Sequence, residues 1–306
     1  MQLFLAKRDN KLEKIKEISF ENEREVQRLI EENLNEIFGF EFVKSEFTIE
    51  DLRIDTLAFD NETKSFVIIE YKRDRNFSVI DQGYAYLSLL LQNKAEIILK
   101  YNEAKNKNLK LDSVDFSQSK VIFISPQFTK FQRKAINFKD LPIELWEISK
   151  YEGDIISFNK LSSPDTSESI TKISKNNEMI QKISREIKIY TEDDHLMKIP
   201  QNIQEVYNEL KDRILNLGQN IEIRPKKHYI GFIANTNFVD VHLNKSGLKL
   251  WINLRKGELD DPKKVARDVS NIGHWGNGAY EVFLKPGSDL DYIMLLIKQA
   301  YKKHSN

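Results

Sequence analysis

The chain has no cysteine among its 306 residues. Disulfides, thiolate metal sites and thiol redox chemistry are therefore excluded. Any metal has to be held by carboxylates, backbone oxygens or histidine. Glycine and proline are scarce, at 11 and 7, so most of the chain is expected in regular elements rather than long loops. No window approaches the ~20 apolar residues of a membrane span. The opening "MQLFLAKRDNKLEKIKEI" meets charge too early for a signal peptide. The expectation is a soluble, cytoplasmic protein with no membrane partner. Net charge is missing as well, since 47 Lys and Arg offset 47 Asp and Glu. That balance argues against a generic nucleic-acid coat protein, which is basic overall.

What is present supports a folded, two-domain chain. Hydrophobic residues make up 40% and aromatics 10%, enough for a real core. By count, residues 1–159 carry 24 basic against 28 acidic side chains, and residues 179–306 carry 20 against 16. The C-terminal half is thus the more cation-rich surface. Between them, "NKLSSPDTSESITKISKNNE" turns polar and rich in Ser and Thr. Residues 160–178 read as a linker, separating domains at 1–159 and 179–306.

In the first half, "SFENEREVQRLIEENLNEIF" (19–38) places Val26, Ile30, Leu34 and Ile37 at helical spacing, with Ser19 or Asn22 as cap and Gly39 as stop. Strands follow at 40–47, 52–60 and 65–72, the last two joined by the tight turn "DNET" as an antiparallel hairpin. A helix from Ser78 to about residue 100, a short apolar strand at 120–126, a helix at 128–138 and a strand at 143–153 complete the unit. The order α-β-β-β-α-β-α-β predicts an α/β fold, a mixed sheet flanked by helices. Beyond the linker, helices at 203–217, 261–270 and 288–303 accompany strands at 221–225, 228–234, 238–243, 248–254 and 280–284. This predicts a second, smaller α+β domain.

The chemistry concentrates in "SFVIIEYKRDRN". Val67, Ile68 and Ile69 are the branched run of a strand buried on both faces. Glu70 and Lys72 then fall on one side of it, roughly 6–7 Å apart, because strand side chains alternate. Asp55, in "LRIDTLAFD", precedes Glu70 by 15 residues, and pairing of the two strands brings both carboxylates to one sheet end. Two carboxylates and a lysine there make a site for a hard cation such as Mg²⁺. A metal that polarises a phosphoryl oxygen and a cation that orients water are what phosphodiester hydrolysis needs.

The pattern Asp55…Glu70-Tyr71-Lys72 within α-β-β-β-α-β resembles the PD-(D/E)XK nuclease superfamily, and most nearly its archaeal-type branched-DNA endonucleases. The usual proline before the aspartate is replaced by Ile54. The resemblance covers about residues 18–150. It implies Mg²⁺ or Mn²⁺ as cofactor, Asp55 and Glu70 as metal ligands with the Tyr71 carbonyl as a third, and Lys72 as the residue that orients or activates water. Members of the superfamily also place a glutamate on the first helix. Glu23, Glu25, Glu31 and Glu32 compete for that role, and Glu23 shares the stripe of Val26, Ile30 and Leu34. "DQGYAY" puts Gln82 and Tyr86 one turn apart. It looks like the Q-x-x-x-Y motif of the RecB-like branch, whose pair contacts substrate or braces the site. The function implied is metal-dependent DNA cleavage. The alternative is a catalytically inactive nucleic-acid- or protein-binding module on a nuclease fold, although a decayed site is expected to have lost at least one of Asp55, Glu70 and Lys72.

The second half carries fewer signals. Arg224, Lys226 and Lys227 lie beside Tyr229. They read either as phosphate contacts to DNA or as lysines guarding a solvated strand edge. "SNIGHWGNGAYEV" clusters Gly273, Gly276 and Gly278 around His274 and Trp275, which suits a tight loop with close backbone approach. His195, His228, His242, His274 and His304 lack metal-ligand spacing. This half resembles a domain of unknown function appended to predicted nucleases. The expectation for it is substrate binding, a protein partner or a homodimer contact.

Overall fold

A computed structural model describes residues 2–50, 52–73, 78–138, 140–161, 168–170 and 177–305. The chain divides into two compact units, Met1–Ile189 and Tyr190–Asn306.

The first unit is built on a mixed sheet of β3 (Glu17–Ile18), β4 (Phe40–Ile49), β5 (Leu52–Asp60), β6 (Ser65–Tyr71), β7 (Lys120–Ser125), β8 (Ile143–Tyr151) and β9 (Ile155–Leu161). Their order is β3-β8-β7-β6-β5-β4, with β9 also pairing β8. β6, β7 and β8 run parallel and the other pairs antiparallel. All seven residues of β6 are buried, as its unbroken apolar run requires of a central strand covered on both faces. A separate hairpin, β1 (Leu3–Ala6) with β2 (Leu12–Ile15), precedes the sheet.

One face of the sheet is covered by α1 (Glu23–Glu32) and α2 (Leu34–Phe38), whose Val26, Ile30 and Leu34 pack on Ala58, Val67, Ile69 and Ile122. The expected single helix breaks at Asn33, whose side chain donates to the Leu29 carbonyl. Asn22 caps its start and Gly39, at φ 73°, ends it. The opposite face is covered by α3 (Val79–Gln92) and α4 (Lys94–Lys105), again one expected helix divided at an asparagine, Asn93. Gly83 lets α3 lie close on the sheet, because a Cβ there would stand 2.3 Å from Ile143 Cδ1. A short α5 (Lys130–Ala135) connects β7 to β8.

The domain boundary differs from the expectation. Helix α6 (Glu178–Glu186), assigned above to the second domain, sends Ile180 and Ile183, followed by Ile187, into the same core as α3 and α4. The division therefore falls at Ile189/Tyr190 rather than at residue 178. The apolar spacing of these isoleucines outweighs the polar composition around them. The expected linker, 160–178, lies largely outside the described residues.

The second unit has α7 (Glu192–Leu196) and α8 (Gln201–Leu215), then an antiparallel sheet. Its strands are β10 (Glu222–Pro225), β11 (Ile230–Ile233), β12 (Asn237–Asn244), β13 (Gly247–Ile252), β14 (Arg267–Asp268) and β15 (Tyr280–Leu284), in the order β10-β11-β12-β13-β15-β14. α9 (Leu290–His304) closes it, and with α8 packs Tyr207, Leu210, Leu296 and Ile297 against Val239, Val241, Leu250 and Val282. The expected helix at 261–270 does not form. Asp261 accepts the Ala266 amide at 2.7 Å and Lys264 sits at φ 52°, so the aspartate holds a turn where a helix would need its own ladder.

Candidate active site

The candidate site is a fork in the sheet. β5 and β6 pair from Asp60↔Ser65 to Thr56↔Ile69 and no further. Past that point β5 stays with β4, and β6 stays with β7 through Tyr71↔Ile124. Amides facing the fork need partners once the ladder ends, and the two carboxylates supply them reciprocally. Glu70 Oε1 accepts the Asp55 amide at 3.0 Å, and Asp55 Oδ2 accepts the Tyr71 amide at 3.1 Å. The Arg53 and Asp55 carbonyls are met by the Tyr86 hydroxyl at 3.2 Å and by Gln27 Nε2 at 3.1 Å. The open end of β5 is thus held by side chains from β6, α1 and α3.

Lys72 follows on the same side as Glu70, its Nζ 3.2 Å from Glu70 Oε2. Its amide continues the parallel ladder by donating to the Ile124 carbonyl, which fixes the backbone from which the ammonium extends. Glu70 is 1% exposed. Burial first, and then the Asp55 charge, push its carboxyl up to about 7, against the opposing pull of Lys72. Asp55 is raised for the same leading reason, with the Glu46 and Glu23 charges adding to it and the Tyr71 amide and Lys72 opposing. One ammonium does not offset two carboxylates in so dry a place.

That imbalance is a test of whether a cation fits. The donors at hand are carboxylate oxygens, the kind that Mg²⁺ or Mn²⁺ takes, with backbone oxygen, water and phosphate able to complete such a shell. Among the described residues no group of three or more His, Cys, Asp or Glu is arranged around a common metal position, so the side-chain donors at the fork are the two carboxylates, Asp55 and Glu70. The oxygen donors and their excess negative charge fit a divalent cation.

Of the four competing helix acids, Glu23 accepts the Arg73 amide at 2.6 Å, one residue past Lys72. Glu25 is taken up by the Glu21 amide and Lys150, and Glu32 by Arg28. Glu31 also faces inward. It accepts from Thr56 Oγ1 at 2.5 Å, and Thr56 in turn meets the Tyr71 hydroxyl at 3.1 Å. Gln27 lies between these acids and reaches Glu31, Ser45 and Asp55 together. Sequence reasoning chose Glu23 over Glu31 among the four competing acids and missed Gln27. The spacing 23, 27, 31 is one helical stripe and was the signal available.

Tyr86 is 5% exposed, its hydroxyl within 3.3 Å of Gln82 Nε2. Burial and then the Glu70 charge hold its phenol well above the usual range. Of the two roles expected for this pair, a buried tyrosine against the Arg53 carbonyl has the geometry of a brace. Sequence reasoning also passed over Glu46 and Arg53. Glu46 sits at φ 52° in the position opposite Asp55 and forms an ion pair with Arg53 at 2.8 Å.

Arg224, Lys226 and Lys227 lie in the second unit. Arg224 is on the sheet-edge strand β10 and pairs with Glu222 at 2.6 Å. The Lys226 carbonyl meets His195 Nε2 at 2.7 Å, and Lys227 is exposed. Of the three, Arg224 alone is on the edge strand, and Lys226 and Lys227 follow its end. No described helix is long and apolar enough to cross a membrane.

Comparison with known proteins adds the following. Residues 192–304 match the model of a domain of unknown function, DUF5655. Among solved structures, a repair endonuclease from Pyrococcus abyssi is 23% identical, with the match covering 39% of this chain and 44% of that one at a TM-score of 0.22. EndoMS in its apo form is 20% identical over 39% of this chain and 43% of its own, at 0.26. SfsA of Pyrococcus furiosus, in complex with Ca²⁺, is 15% identical over 53% and 77%, also at 0.26. The matches span less than half of each endonuclease chain, and TM-scores this low decide nothing about activity. An uncharacterized protein of Haemophilus influenzae is 50% identical over 302 residues, 99% of this chain and 100% of that one. Identity at that level over both whole lengths makes this chain a member of the same family as the Haemophilus influenzae protein, with DUF5655 as its C-terminal part.

Proposed function

We propose that the first unit is a metal-dependent nuclease of the PD-(D/E)XK type that hydrolyses phosphodiester bonds in DNA. The observation that carries this reading is the fork itself. Asp55 and Glu70 each accept the other strand's amide, Glu70 is pushed to about 7, and Lys72 stands 3.2 Å from it. Asp55, Glu70 and the Tyr71 carbonyl would hold Mg²⁺ or Mn²⁺. A bound divalent ion supplies Lewis-acid polarisation of the phosphoryl oxygen and lowers the pKa of water.

The chain's own residues do the rest. Reciprocal amide bonds aim the carboxylates and keep both from turning away. Lys72, anchored through its amide to β7, orients the attacking water and holds positive charge next to the phosphate as negative charge develops. Glu23, on the far lip beside Arg73, adds an acceptor for water. Gln82 and Tyr86 keep the end of β5 from relaxing back onto β6, which would close the fork. DNA as the substrate rests on the resemblance of Asp55…Glu70-Tyr71-Lys72 to DNA-cleaving members of the superfamily.

The test is a cleavage panel of single-stranded, duplex, flapped and mismatched DNA, together with RNA, in Mg²⁺, Mn²⁺, Ca²⁺ and EDTA. DNA cleavage in Mg²⁺ or Mn²⁺, absent in EDTA and not restored by Ca²⁺, is the expected result. Calcium accepts looser, higher-coordinate geometry and supports binding without chemistry. Full activity in chelator would require another mechanism.

A further inference from the structure

The second unit presents a built aromatic loop that the chemistry at the fork does not use. On its sheet, Val239, Val241, Leu248 and Leu250 face the helices. Asp240, His242, Lys249 and Trp251 alternate with them and so face the other way. The chain from Val269 to Ala279 crosses that second face. It is tied down at its ends, where the Val269 amide donates to the Ala279 carbonyl and the Ala279 amide to the Leu254 carbonyl.

It is tied down in the middle as well. Asp240, fully buried, accepts the Asn277 amide at 2.6 Å and Asn277 Nδ2 at 2.9 Å. Gly276 lies so close over Trp251 that a Cβ would stand 2.3 Å from the ring. Gly278 takes φ 88° with the Ile252 carbonyl beneath it. His274 stacks on Trp251, centroids 5.7 Å apart and planes 14° apart.

Two large side chains of this clamped segment are left outside, Ile272 and Trp275, and Trp275 is the aromatic one. Trp275 is 54% exposed. Its ring lies parallel to His228 at 4.5 Å and 14°, with the edge of His242 at 5.0 Å. His242 is itself fixed, its Nδ1 meeting the His228 carbonyl at 2.5 Å. A buried aspartate and two sterically required glycines thus fix the loop, and two imidazoles, His228 and His242, hold its indole in place with more than half of it in water. Isolated exposed hydrophobic residues are ordinary on surfaces. An indole immobilised in this way has already lost its conformational freedom, so a flat partner can cover it without that ordering penalty.

We propose that Trp275, backed by His228, is a stacking platform for an unpaired base of single-stranded nucleic acid, with the backbone phosphates on the side of Lys226 and Lys227. The ring offers a flat face to any base, and aromatic stacking of this kind is tolerant of sequence. Lys226 and the exposed Lys227 immediately precede His228 in the chain, so the segment that backs the ring is cationic, as a polyanion needs and an apolar peptide does not. Bases in a duplex are already stacked on their neighbours, so the platform selects an unpaired one. This site lies in a different unit from Asp55 and does not depend on the fork being catalytic.

The test is equilibrium binding by the full-length protein in EDTA, which separates it from cleavage. The probes are a labelled oligothymidylate and an abasic oligomer of equal length. Wild type is expected to bind the oligothymidylate with quenching of tryptophan fluorescence. Trp275→Ala is expected to weaken binding about tenfold, and Trp275→Phe to keep most of the affinity while losing the quenching, although Trp146 and Trp251 remain. The abasic oligomer should bind wild type and Trp275→Ala alike. Equal oligothymidylate affinity in wild type and Trp275→Ala, or no binding by wild type, overturns the proposal. So does a Trp275→Ala effect confined to self-association in sedimentation.

Discussion

Glu70 holds its charge in a dry place beside a second carboxylate, and its titration gives a prediction that requires no substrate. Its carboxyl is held up to about 7 against an ordinary 4.5, by burial first. Between those values the folded chain keeps a proton that the unfolded chain has released. Its contribution to stability is therefore complete below about 4.5 and is lost as pH rises through about 7. At ~1.4 kcal/mol per pKa unit, the loss is at most on the order of 3 kcal/mol. In metal-free protein, thermal or urea unfolding of wild type should show this decline between about pH 5 and pH 8, and Glu70→Gln should flatten it. Mg²⁺ at the higher pH should restore stability to wild type by mass action and do little for Glu70→Gln. A wild-type profile parallel to that of Glu70→Gln would mean that Glu70 is not perturbed. Asp55, Glu70 and Lys72 could be found from spacing because strand alternation and hairpin pairing are local rules. Gln27 and Glu31 were harder, since their partners, the Asp55 carbonyl and Thr56, lie 28 and 25 residues away.

At the scale of elements, α3 carries Gln82 and Tyr86 and depends on Gly83 to seat them. A methyl at Gly83 would meet Ile143 Cδ1 at 2.3 Å and Phe123 at 3.5 Å. Gly83→Ala should therefore lift the helix and destabilise the protein by about 1–3 kcal/mol, the usual range for overpacking. It should also slow any cleavage more than a distant substitution of equal stability loss, because Tyr86 moves with the helix. An unchanged melting temperature would show that the contact relaxes freely. Tyr86→Phe is the gentler probe. It removes the hydroxyl from the Arg53 carbonyl and Gln82 and should lower stability by roughly 0.5–1.5 kcal/mol. Strands β4 to β8 were legible in the sequence because their apolar runs are strong, whereas β9, none of whose residues is fully buried, was not. The breaks at Asn33 and Asn93 were not, since each falls within an apolar period that continues on both sides. The turn at Asp261 was hidden by basic and small residues that also suit a helix, and only its side-chain bonds to Ala266 and Tyr292 reveal it.

For the whole molecule, the boundary at Ile189/Tyr190 predicts where the chain can be cut. A fragment of residues 1–189 should fold cooperatively, and so should one of residues 190–306, each having its own apolar core. A fragment ending near Leu161 lacks the buried Ile180, Ile183 and Ile187. Removing the side chain of even one such isoleucine typically costs about 2–5 kcal/mol, so this shorter fragment should be markedly less stable than 1–189. Equal urea midpoints for the two would contradict the assignment of α6 to the first core. The polar stretch before α6 made residue 178 look like the divide, since composition reports exposure along a segment and not which core a later helix joins. The α/β class of the first unit and the α+β class of the second followed from element order.

The central claim is that the fork between β5 and β6 is a working phosphodiesterase site, and the most direct test is single-turnover DNA cleavage by wild type and Glu70→Ala in Mg²⁺. Circular dichroism on both proteins confirms that each is folded. The account predicts cleavage by wild type and none by the folded variant, because Glu70 is a proposed metal ligand and also holds the Asp55 amide. Undiminished turnover in folded Glu70→Ala would contradict it.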